Sequence, residues 1–138
     1  MGMKILVADP DWHFLRQVRE HLEPMGHSVV HEAGPDGAVS RAARWKPDIV
    51  MVSAEMPECS DGDLLAALEG VQPRPAVVLT ASLEKFSEAW RAWQRGGDEL
   101  IIKPVLHPSE LHVALLIALK NTVTPRERAA APPLAKSA

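Results

Sequence analysis

Five short apolar runs, each followed by a stretch of helical periodicity, constrain this chain more than any other feature. Lys4, Ile5, Leu6, Val7 and Ala8 form a nearly continuous apolar run, the pattern of a strand covered on both faces. Asp9-Pro10-Asp11 punctuates it. Phe14, Leu15, Val18 and Leu22 then recur at helical spacing until Pro24 and Gly26 stop the pattern. Residues 28–33 alternate weakly and suit a strand near a sheet edge. Gly34-Pro35-Asp36-Gly37 reads as a turn, followed by small and apolar residues at helical intervals over 38–45. The next buried strand covers 49–52, and a short helix over 63–68 turns Leu64, Leu65 and Leu68 inward. Ala76, Val77, Val78, Leu79 and Thr80 form a fourth strand. Leu83, Phe86, Trp90 and Trp93 mark one stripe of the following helix and are expected as its packing face, with Gly96-Gly97 closing it. A fifth strand spans 100–102, and Pro108 opens a last helix that ends near Asn121.

Strands alternating with helices imply right-handed crossovers and a parallel sheet with helices on both faces. The predicted class is therefore α/β, doubly wound, with five strands, five helices and no internal repeat. A single domain over 3–121 is expected. The segment 122–138 cannot bury much apolar surface and is expected as a disordered tail. The net charge of −3 offers no basic stripe, which argues against nucleic-acid binding. The longest strongly apolar stretch, 113–119, is too short to cross a bilayer, so no membrane role is expected. No signal-peptide pattern precedes the first strand. Cys59 is the sole cysteine and has no internal disulfide partner, which fits a reducing cytoplasm and an inert thiol.

In open parallel sheets, functional groups collect at the carboxyl ends of the strands, at the topological switch point. The residues placed there are Asp9, Ser53, Thr80 with Ala81, and Lys103 with Pro104. The segments Ile-Leu-Val-Ala-Asp, Ala-Val-Val-Leu-Thr-Ala and Gly-Gly-Asp-Glu-Leu-Ile-Ile-Lys-Pro, with the strand that leads through Ser53 to Met56-Pro57, carry a resemblance. Together they resemble the receiver domains of response regulators (the CheY-like family) over nearly all of the predicted domain. The resemblance implies the flavodoxin-like (βα)5 fold with strand order 2-1-3-4-5. It also implies a phosphorylation switch. In that family an aspartate at the end of the third strand takes a phosphoryl group from phosphohistidine, and two further acids help hold magnesium. A lysine pairs with the phosphoryl oxygens, a hydroxyl residue moves toward them, and an aromatic residue on the fifth strand swings inward. Many members dimerise through the face made by the fourth helix, fifth strand and fifth helix.

Residue by residue the match is partial. Asp9, Thr80 and Lys103 are retained, and Lys103-Pro104 is expected to carry the cis peptide usual in the family. Ser53 stands at the phosphoacceptor position, Pro10 replaces the acid that ligates the metal, and Leu100 replaces the switching aromatic. The loop from Pro57 to Asp61-Gly62 is one residue longer than the common pattern. A serine hydroxyl needs a base to become a nucleophile, whereas a carboxylate is already ionised at neutral pH. Magnesium binding is expected to be weak or absent, because a hard cation needs more anionic oxygen than Asp9 alone supplies. The reading is a degenerate receiver without catalytic residues, acting as a phosphorylation-independent protein-interaction module. Two alternatives stay open: a working phosphorelay receiver with an unusual acceptor, and a small-molecule sensor using the vacated pocket around Asp9, Ser53 and Lys103.

Several side chains carry more local expectations. Asp9 is the expected partner of Lys103, and Thr80 is expected to bond backbone or Ser53. Glu55 could lean toward Lys103 as a standing negative charge, the alternative being a solvated loop glutamate. Asp11 is expected to cap the first helix. His27 and His31 flank a strand, and His107 and His112 lack any ligand spacing, so the histidines are expected as scattered surface groups with no metal. No glycine-rich phosphate loop follows a strand, which speaks against a nucleotide-binding enzyme. Trp12 sits at the mouth of the site and is expected to be partly exposed. On the last helix, Leu111, Ala114, Leu115, Ala118 and Leu119 are assigned to the sheet side. Val113, Leu116 and Ile117 then face away, where a surface helix is normally polar. That stripe predicts a partner surface, with a homodimer as the expected form.

Overall fold

The computed structural model describes residues 2–60 and 62–121; Asp61 and the tail expected over 122–138 lie outside the described residues. Five strands form one parallel sheet in the order β2-β1-β3-β4-β5: β1 (Lys4–Ala8), β2 (Ser28–Glu32), β3 (Ile49–Ser53), β4 (Ala76–Ser82) and β5 (Glu99–Lys103). Among the described residues there are six α-helices: α1 (Trp12–Leu22), α2 (Pro35–Trp45), α3 (Pro57–Ser60), α4 (Asp63–Glu69), α5 (Phe86–Arg95) and α6 (Pro108–Asn121). The extra helix relative to expectation is α3, a single turn in the loop after β3. The dimer face expected on the fourth helix, fifth strand and fifth helix therefore corresponds to α5, β5 and α6.

Alternation along the strands divides the core into two layers. Ile5, Val7, Ile49, Met51 and Val78 point to α1 and α6, where they meet Phe14, Leu15, Val18, Leu22, Leu111 and Leu115. Leu6, Val50, Val52, Val77 and Leu79 point the other way, onto Ala38, Ala42, Leu64, Leu65, Leu68, Ala89 and Ala92. All five residues of β3 are buried, as a central strand covered on both faces demands.

Two packing expectations are corrected. On α5 the inward residues are Ala89 and Ala92, while Phe86 and Trp90, with Leu83 in the turn just before the helix, are 48%, 40% and 71% exposed. Only Trp93, half-buried, leans on the core. Small side chains let this helix lie close to the sheet, so its bulky stripe turns to solvent. The close approach continues into the next turn: Gly97 adopts φ +104°, and a Cβ there would lie 2.8 Å from Leu79 Cδ1. On α6, Leu119 is exposed rather than packed on the sheet. β4 also runs two residues beyond Thr80, to Ser82, because its last residues stay paired with Ile102 and Lys103.

Candidate functional site

Four strand ends deliver the site. Asp9 follows β1, Ser53 ends β3, Thr80 lies near the end of β4 and Lys103 ends β5. Asp9, Ser53 and Thr80 are 1%, 2% and 0% exposed. Lys103 Nζ lies 2.8 Å from Asp9 Oδ2 and 3.5 Å from Asp11 Oδ2, and 4.7 Å from the centre of the Phe14 ring. The Thr80 hydroxyl donates to Asp9 Oδ2 at 3.3 Å and sits 3.5 Å from the Val52 carbonyl. Asp9 Oδ1 accepts from the Asp11 amide at 2.8 Å. Both Asp9 oxygens are thus bonded within the protein.

Asp11 has two tasks. Its Oδ1 accepts from the His13 and Phe14 amides and caps α1, while its Oδ2 faces Lys103. Burial raises the Asp11 pKa, but the Phe14 amide, the Lys103 charge and the His13 amide outweigh it, so the carboxyl lies below its ordinary value.

Ser53 Oγ accepts from the Glu55 amide at 3.3 Å. The Glu55 carboxylate does not reach toward Lys103, as one expectation had it. Its Oε2 instead accepts from the Ser82 amide at 3.0 Å, which joins the loop after β3 to the end of β4. Ser82 is the residue that sequence reasoning missed; two positions past Thr80, it bears no chemical signature. Ala81 is buried, Pro10 and Pro104 are exposed, and the Lys103-Pro104 peptide is cis, as is Gln72-Pro73. Leu100 is half-buried and packs against the α5 side of the core, paired in register with Leu79.

A cavity of about 330 Å³ opens beside Lys103, lined by Asp11, His13, Phe14, Arg16, Gln17 and Pro104. Neither Asp9 nor Ser53 lines it. Val113 and Ile117 border a larger groove of about 480 Å³ between β5 and α6, where Val113, Leu116 and Ile117 are all exposed.

Two histidine pairs depart from the expected scatter. His27 and His112 stack with ring centroids 6.1 Å apart, and His27 Nδ1 accepts from the Met3 amide at 3.0 Å. His31 donates through Nε2 to the Asp9 carbonyl at 2.7 Å and meets Trp12, which is exposed, edge-on at 4.6 Å. These rings come from different elements, so chain spacing could not reveal the contacts. Among the described residues no three His, Cys, Asp or Glu side chains converge as a metal site. No described helix is long and apolar enough to cross a membrane.

A five-stranded, doubly wound sheet in this order, with an acid, a hydroxyl and a lysine meeting at its carboxyl edge, defines a receiver-type signalling fold. The family described as the response regulator receiver domain matches residues 5–116, and the chain belongs to it. It is 32% identical over 100 residues to the transcriptional regulatory protein KdpE of Mycobacterium tuberculosis; the match covers 72% of this chain and 44% of KdpE. The chain thus spans less than half the length of that relative. Over 117 residues it is 27% identical to the chemotaxis protein CheY of Thermotoga maritima, covering 83% of this chain and 96% of that one. A receiver domain structure from Clostridium thermocellum superposes with a TM-score of 0.71 at 24% identity, over 94% of this chain and 99% of that one. The chain is therefore a receiver domain of two-component signalling.

Proposed function

We propose that this receiver works without aspartyl phosphorylation, as a cytoplasmic protein-interaction module and not an enzyme. The observation that carries the reading is the state of Asp9: Lys103, Thr80 and the Asp11 amide already hold its oxygens, with Ser53 where the acceptor carboxylate belongs. The donor set does not fit magnesium, since Pro10 offers no side-chain ligand and the carboxylates of Asp9 and Asp11 both face Lys103. Ser53 is no substitute acceptor. Among the described residues its hydroxyl meets the Glu55 amide and no general base, and at 2% exposure it is closed to a protein kinase.

The module's output is a contact surface. Leu83, Phe86 and Trp90 on one side of β5, with Val113, Leu116 and Ile117 on the other, leave apolar side chains in water on both helices. Aromatic and aliphatic side chains of this kind anchor interfaces. A homodimer through α5, β5 and α6 covers both stripes. The domain's acidic balance suits protein partners and not nucleic acid.

The test uses a small phosphodonor, or beryllofluoride with magnesium, read by intact mass and tryptophan fluorescence. The expected result is no adduct and no saturable change. A stoichiometric phospho-adduct, or a saturable metal-dependent change in fluorescence, overturns the reading. Light scattering at high protein concentration checks the dimer, and a monomer there overturns that part alone.

A further inference from the structure

We infer that Glu55 is a positioning residue, a built-in anionic latch that holds the start of α5 and so presents the Leu83, Phe86 and Trp90 surface. The inference takes its functional meaning from the phosphorylation-independent reading, in which a standing anion does what a transient one does elsewhere. It rests on a contact that can be tested separately.

Three observations carry it. First, Glu55 is fixed at both ends: its amide donates to Ser53 Oγ at 3.3 Å, and its Oε2 accepts from the Ser82 amide at 3.0 Å. The two bonds link the buried hydroxyl at the end of β3 to the end of β4, the second of them spanning 27 residues of chain. Second, the segment beyond Ser82 has no other side-chain cap. Leu83–Lys85 forms a 3-10 turn whose capping residue is Ser82, and neither that turn nor α5 receives a side-chain capping bond. The Ser82 hydroxyl itself is buried without a hydrogen-bond partner, so it does not hold the turn. Third, what the segment carries is the apolar stripe that the structure turns outward, beginning at Leu83, the next residue.

The physics favours a carboxylate in this role. An ionised acceptor makes a stronger hydrogen bond to a backbone amide than a neutral one. A negative charge before the first helical turn also opposes the partial positive charge of the unsatisfied amides there. Without the latch, Ser82 keeps its pairing opposite Lys103 at the end of β4, and the turn after it keeps its own backbone bond from the Phe86 amide to the Leu83 carbonyl. With the side-chain bond gone, the stripe would still sample more than one orientation. Sequence offers no sign of this link, because Glu55 lies in the loop after β3 and Ser82 at the end of β4.

Hydrogen exchange and backbone resonances of Glu55→Ala and Glu55→Gln test the latch, with the exposed Glu58→Ala as control. In Glu55→Ala the Ser82 amide should exchange at least about tenfold faster than in wild type, the loss of one locally protective bond. Leu83 and Phe86 resonances should move, while Val50 and Val78 in the sheet core keep their rates. Glu55→Gln retains an acceptor oxygen and should recover part of the protection. A Ser82 rate within about twofold of wild type in Glu55→Ala overturns the latch. So does an equal acceleration at Val50 and Val78, which would mean general loosening. These measurements use no phosphodonor. A failed latch therefore leaves the phosphorylation-independent reading standing, and a phospho-adduct in the mass assay leaves the latch standing.

Discussion

Replacing Asp9 by asparagine removes one charge from the site and little else. The carboxylate is 1% exposed and the Lys103 side chain 11%, so the pair is effectively out of water. Breaking such a pair by neutralising one member costs roughly 3–5 kcal/mol, chiefly because the other charge is stranded. Here Lys103 keeps a second carboxylate, Asp11, at 3.5 Å, and the face of the Phe14 ring at 4.7 Å. Asp11 is solvated, so its share is modest, and the expected loss for Asp9→Asn is near the lower end, about 3 kcal/mol. Lys103→Met strands Asp9 instead, but the Thr80 hydroxyl and Asp11 amide still donate to it, which limits the cost to about 2–3 kcal/mol. With Asp9→Asn and Lys103→Met combined no charge is stranded. The double variant should lose about 1–2 kcal/mol, well short of the sum of the singles. Urea unfolding with unchanged slopes measures all three. A loss below about 1 kcal/mol for Asp9→Asn, or strict additivity in the double variant, would refute the premise that this pair is buried and mutually dependent.

Two further outcomes follow from titratable groups away from the site. Burial, and then the neighbouring His112, push the His27 pKa below its ordinary value, so the native state favours the neutral ring. A depressed folded value makes this contribution complete above the unfolded pKa of about 6.5 and erodes it as pH falls through the folded one. Urea midpoints measured between about pH 5 and 8 should decline toward acid in wild type and decline less in His27→Gln; parallel profiles would remove His27 as the cause. Burial pushes the Cys59 thiol up to about 12. A maleimide should therefore leave Cys59 unmodified in the native protein and label it in urea, and rapid native labelling at neutral pH would contradict its burial.

The strands and their order of appearance were legible because a strand covered on both faces must be apolar throughout, and Ile5–Val7, Ile49–Val52 and Val77–Leu79 admit no other reading. Asp9, Ser53, Thr80 and Lys103 were legible for a related reason: each sits at the end of such a run, and a parallel sheet brings those ends together. The outward stripe on α5 was not. Helical spacing of Leu83, Phe86, Trp90 and Trp93 shows that a face exists, but the side that docks is set by how near the helix comes to the sheet. Ala89 and Ala92 decided that in favour of the small face. The His27–His112 stack and the Trp12–His31 contact were hidden because each joins separate elements.

Chain order alone determined the alternation of strands with helices and the identity of the residues at the sheet's carboxyl edge, Ser53 among them. These are properties of single positions and of local periodicity, carried by the covalent sequence. Tertiary structure decided that Asp9 is saturated by Lys103, Thr80 and the Asp11 amide, and that Glu55 turns to Ser82. Hydrogen bonds form or fail over a few tenths of an ångström, and the relative height of a loop and a neighbouring strand end is set by the packing of the whole sheet beneath them.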